Sequence, residues 1–112
     1  IALFAPSRPR RPEPVRRTDA VARILKLEGH LKGRGIEHMY LFGSVARDAA
    51  TEDSDVDIAF DVRDGVPFDA LDMGGILMDL KEALGVNIDL VERRSISANF
   101  AREVGPELIR VF

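Results

Sequence analysis

The sequence predicts an α/β (α+β) fold, a small mixed β-sheet of three to four strands with helices packed on it. Three observations predict it. Apolar residues at helical spacing alternate along the chain with short β-prone runs, glycines and prolines punctuate each change of period, and no segment repeats.

The elements follow in order. Pro6, Pro9, Pro12 and Pro14 lie among arginines, so residues 1–17 can form neither a helix nor a central strand and are expected to be a flexible basic tail. The domain is expected to run from 18 to 112. Thr18 is the expected N-cap of a first helix, with Asp19 in its first turn, and Val21, Ile24, Leu25 and Leu31 recur on one face until Gly33 and Gly35 stop it. "IEHMYLF" (36–42) reads as the first strand, ending at Gly43, and Ser44 is expected to open a short helix followed by a loop. Residues 55–62 read as the second strand, closed by "RDGVP". A helix is expected over 68–84, with Leu71, Met73, Ile76, Leu77, Leu80 and Leu84 on its apolar face and Gly85 past its end. That stripe suits a core or an interface. "VNIDLVE" (86–92) reads as the third strand, "SISANFAREVG" as a short helix, and "ELIRVF" as a weak strand or helical turn.

Composition narrows the function. The net charge of −3 divides unevenly: five arginines against Glu13 give residues 1–17 a net of +4, which leaves −7 on the rest. An acidic domain is a poor binder of extended nucleic acid, because such affinity comes largely from Lys and Arg neutralising phosphates. With no cysteine there is no disulfide framework and no thiolate zinc site, while oxygen-ligand metals stay open. No apolar run approaches a membrane span and residues 1–4 are too few for a signal-peptide core, so a cytoplasmic protein without membrane association is expected.

The chemistry gathers at strand ends. Successive side chains of a strand point to opposite faces, so Asp55 and Asp57 share one face while Val56 and Ile58 share the other. Asp89, between Ile88 and Leu90, is a third strand carboxylate. Three carboxylates on one sheet face repel, whereas a divalent cation among them keeps all three ionised. Hard oxygen ligands without nearby His or Cys point to Mg²⁺ or Mn²⁺. Gly43 lets a phosphate approach the backbone, and Ser44 offers a hydroxyl and N–H groups at a helix start. Cradle and cage together suggest a nucleoside triphosphate with two metal ions: Asp55 and Asp57 bridge them, and Asp89 holds the second ion and takes the proton of an attacking hydroxyl.

Gly43-Ser44, ten intervening residues, then Asp55-Val56-Asp57 resembles the G-S-x10-D-x-D signature of the DNA polymerase β-like nucleotidyltransferases, with Asp89 where that superfamily has its third carboxylate. Size and wording resemble its minimal nucleotidyltransferase (MNT) branch. The resemblance implies the polymerase β-like fold, transfer of AMP from ATP to a hydroxyl, Mg²⁺ held by the three carboxylates, and an antitoxin role toward a HEPN ribonuclease toxin modified on a tyrosine. The chain departs from the common wording at Val45, where many relatives have Arg or Tyr, and at Asp48, where they have Gly after the retained Arg47. Val45 is expected to remove a polar contact to the nucleotide.

No length is left over for an acceptor-holding domain, so the acceptor is expected from a partner protein or from a second subunit of the same chain. Arg47 is placed with Gly43 and Ser44 at the nucleotide, bracing against nearby carboxylates being its favoured role. His30 and His38 are expected at the surface, and Arg93 and Arg94 as solvated loop charges. The competing readings are a non-catalytic module that neutralises its partner by docking, and transfer to a small molecule or an RNA end.

Overall fold

A computed structural model describes residues 13–95 and 97–112. Helices α1 (Arg17–Leu25) and α2 (Glu28–Gly33) lead into strand β1 (Ile36–Phe42), a single turn α3 (Gly43–Ala46) and strand β2 (Val56–Val62). Helix α4 (Ala70–Leu84), strand β3 (Ile88–Glu92), helix α5 (Ala98–Val104) and the two-residue strand β4 (Ile109–Arg110) complete the order. The sheet order is β3-β2-β1-β4. β1 runs antiparallel to β2 and β4, and β2 runs parallel to β3, so the sheet is mixed as expected. A parallel pair needs a long crossover, and α4 supplies it.

One sheet face is the core. Met39, Leu41, Val56, Ile58 and Phe60 pack with Ala20 and Ile24 of α1, Leu31 of α2, and Ile76, Leu80 and Leu84 of α4. The apolar stripe of α4 is therefore core along that row, while Leu71 and Met78 stand exposed. Asp69 and Asp72 close a reciprocal capping box at its start, and Gly85 ends it with φ +69°.

The expected first helix is split. The Leu27 N–H reaches the Ile24 carbonyl three residues back, and this tight turn separates α1 from α2 while keeping Ile24 and Leu31 both buried. Thr18 is not the cap: Arg16 holds that position, two residues earlier, and gives no side-chain cap. Asp48 fills that role from a distance, its carboxylate accepting the Arg17 N–H at 2.9 Å. Of the expected tail, residues 1–12 lie outside the described residues, and Val15 packs partly against the core.

Asp48 has φ +56°, the left-handed region that glycine favours and that Asp tolerates better than most residues. Asp48→Gly relieves the backbone but loses the carboxylate at Arg17, whereas Asp48→Ala loses the carboxylate and keeps the strain. The Ala variant should therefore have the lower urea midpoint of the two; equal midpoints would show that the backbone conformation carries no cost.

Candidate active site

The sheet face opposite the core carries the motif. Residues paired across strands share a face, and the ladder aligns Phe42 with Asp57 and Asp57 with Asp89. Asp57 is half-buried and Asp89 is exposed on the edge strand. Asp55 sits one residue before β2 rather than within it, exposed, with Val56 and Ile58 buried on the other side as the alternation requires.

Gly43 joins the two halves of the motif. Its φ of +72° places it in the left-handed region, and an added Cβ would run into the Asp57 carboxylate, 3.0 Å from its Cγ. Two independent constraints thus disfavour a side chain at position 43, which would strain the backbone and displace the Asp57 carboxylate. The ten-residue span after Ser44 returns the chain so that the second aspartate of the motif lies against its glycine.

The turn that follows is short. Four residues align too few peptides for a sizeable macrodipole, so what α3 offers an anion is the N–H groups that lack intrahelical partners. Ser44 lies within that turn, Phe42 occupying the N-cap position without a side-chain bond. Val45 is fully buried in the core, so its side chain cannot reach a nucleotide. That position offers no polar contact, as expected, and its role is in the core. Arg47 donates to Glu107 at 3.3 Å, a half-exposed brace between α3 and the turn that precedes β4.

The electrostatics of the pair follow from its placement. Burial pushes the Asp57 carboxyl up to about 6, and its hydrogen bond with Asp89 and the charges of Asp89 and Asp55 add to that, while the Arg47 guanidinium works the other way. Among the described residues no three or more His, Asp or Glu side chains close into a metal-holding group. Asp57 and Asp89 meet, and Asp55 reaches Asp57 through its charge. The donor set nevertheless fits a hard divalent cation: these are oxygen donors whose mutual repulsion a cation would relieve.

Of the remaining polar residues, Arg93 departs from expectation. Arg93 is not a solvated charge: its Nε and Nη2 donate to Asp61 at 2.8 and 3.0 Å, and Tyr40 donates its hydroxyl to the same carboxylate at 2.8 Å. Arg94 pairs with Asp64 at the surface. His30 is half-exposed and lies 2.7 Å from Asp79. His38 is half-buried, its Nδ1 without a hydrogen-bond partner among the described residues.

The model of the nucleotidyltransferase domain matches residues 21–110, which spans both halves of the motif and the full sheet. The chain belongs to the nucleotidyltransferase domain family. Within it, the fold is similar to a structure described as a minimal nucleotidyltransferase, at 30% identity over 84% of this chain and 94% of that one, with a TM-score of 0.71. A toxin–antitoxin structure with AMP-PNP matches at 26% identity over 82% of this nucleotidyltransferase domain and 72% of its counterpart, TM-score 0.67. A tri-AMPylated HEPN toxin of Shewanella oneidensis with its MNT antitoxin matches at 24% identity over 86% and 71%, TM-score 0.61, a likeness of fold alone. No curated protein matches the sequence. No helix among the described residues is long and apolar enough to cross a membrane.

The raised carboxyl sets a pH dependence. Between the ordinary value of 3.8 and about 6 the folded chain holds a proton on Asp57 that the unfolded chain releases. That contribution to stability is therefore full below the lower value and is lost as pH rises through the upper one. In chelator, the wild type should lose more unfolding free energy than Asp57→Asn between about pH 4 and about pH 7. Parallel profiles would show that neither burial nor the neighbouring carboxylates raise Asp57 in the folded chain.

Proposed function

We propose that this domain transfers AMP from ATP to a hydroxyl of a partner protein and so acts as the antitoxin of a HEPN-type toxin. The observation that carries the reading is the apposition of Asp57 to Asp89 beside the Gly43 turn; on this reading the carboxylates are cation ligands and the turn is the phosphate cradle. Support for the nucleotide comes from the relative solved with AMP-PNP, and support for a protein acceptor from the fold shared with the antitoxin of the AMPylated toxin.

Asp55, Asp57 and Asp89 would hold the divalent cation, Mg²⁺ or Mn²⁺, and their donor chemistry would suit two ions. When bound, the metal neutralises the carboxylates and the triphosphate and polarises the α-phosphate. Gly43 leaves space for the phosphates, and the N–H groups of the α3 turn and the Ser44 hydroxyl donate to their oxygens. Arg47 supplies positive charge at the same end of the sheet while bracing Glu107. Asp89, on the exposed edge strand, accepts the proton of the incoming hydroxyl. The acceptor oxygen bonds to the α-phosphorus, the bond to the β-phosphate oxygen breaks, and pyrophosphate leaves. A tyrosine of the toxin is the acceptor that the MNT resemblance implies.

The test is transfer of label from α-labelled ATP and Mg²⁺ to a HEPN protein encoded beside this chain. Asp89→Asn should lower the rate by about 10²–10⁴-fold, and Asp55→Asn with Asp57→Asn should abolish labelling and neutralisation together. Neutralisation by the double variant without labelling would replace catalysis with steric docking, and label in a small molecule or an RNA end would change the acceptor.

A further inference from the structure

Among the described residues, the one buried charged side chain, Asp61 at 1% exposure, lies outside the motif. It sits four residues beyond Asp57 on β2, and its partner Arg93 sits four residues beyond Asp89. The β2–β3 ladder ends with Phe60 opposite Glu92; Asp61 follows on β2, and Arg93 opens the 3₁₀ turn just past β3. The hydrogen bonds from Arg93 to Asp61 close one end of the ladder, about 13 Å along β2 from Asp57 at the other. One end of the ladder therefore carries a like-charge pair and the other an opposite-charge pair.

The opposite-charge pair is fully bonded. Arg93 grips both oxygens of Asp61, Tyr40 of β1 donates to one of them, and the guanidinium lies over the Tyr40 ring at 5.4 Å. Burial alone would push the Asp61 carboxyl up, but the bonds from Arg93 and Tyr40 outweigh it and hold the group below the usual range. The network thus ties the residue after β3 to β2 and, through Tyr40, to β1. β3 needs such a tie, because it is an edge strand with a single neighbour in the sheet. Like charges directly opposite on paired strands push them apart, and opposite charges draw them together.

We propose that Asp61 and Arg93, braced by Tyr40, form a register lock that holds Asp89 opposite Asp57 against their repulsion. They are positioning residues, acting through the strand and not on the reacting atoms. The assignment of Asp57 and Asp89 as metal ligands belongs to the proposed function, on which the link from lock to metal rests; the lock on the strand does not need it.

Breaking the pair from one side would bury an unpaired charge, so the test removes both charges with Asp61→Asn and Arg93→Gln together. In chelator, backbone amide exchange across β3 should speed up about tenfold in this variant, with α1 and α4 unchanged. Adding Asp57→Asn should return β3 to within about threefold of the wild type, because the repulsion that the lock opposes is gone. Unchanged β3 exchange overturns the lock, and so does a loss that Asp57→Asn leaves unrepaired, since an ordinary structural pair is indifferent to the charge at position 57. If the two-site variant does not fold, Arg93→Lys, which keeps the charge and loses the fork, carries the same comparison under the same criteria. Mn²⁺ affinity measured by electron paramagnetic resonance should weaken about tenfold with the lock removed. A wild type that binds no Mn²⁺ would refute the ligand reading, and β3 exchange would still decide the lock.

Discussion

The structure turns on one constraint: two carboxylates of neighbouring strands are held side by side, against a turn that has no room for a side chain. Asp57 faces Asp89 across the β2–β3 ladder and lies where a Cβ of Gly43 would be. Like charges so placed cost free energy unless a proton or a cation compensates them. The core supplies the rigidity that keeps them there, because Val56 and Ile58 are buried on the opposite face and a slip of one residue would invert both faces together.

Most of the remaining architecture serves that end of the sheet. α4 is the crossover that makes β3 parallel to β2, which puts the carboxylates of both strands at one edge. α3 is too short to be stable alone and is held by Val45 and Ala46 in the core, by the Ala46 carbonyl accepting from Arg17, and by Arg47 against Glu107. Asp48 links the same turn to the start of α1. The α3 turn is thereby tied to the N-terminal helix, the core and the segment before β4.

Much of this was legible in the sequence, where local chemistry decides the outcome. β1 keeps its expected bounds, β2 starts one residue late, and Gly85 ends α4 because only a left-handed residue closes the helix there. The adjacency of Gly43 to Asp57 was legible as a spacing, though its physical content, a carboxylate filling the place of a side chain, needed coordinates. What could not be read depends on distant partners. Nothing in residues 24 to 28 marks the turn at Leu27, and the cap of Arg17 comes from Asp48, 31 positions away. The burial of Val45 could not be read because a one-turn helix has too short a period to reveal its buried side. The partner of Arg93 could not be read because Asp61 is remote in sequence and Arg93 lies in the turn beyond β3, where strand register gives no guide.

The central claim is that a divalent cation relieves the repulsion at Asp57. Carbon-13 NMR titration of the aspartate side-chain carboxyls, with Asp57→Asn assigning the signal, tests it most directly. The account predicts a midpoint for Asp57 near the raised value of about 6 in chelator, moving down when Mg²⁺ is added. A midpoint in the ordinary aspartate range without metal, or one that Mg²⁺ leaves unmoved, would contradict it.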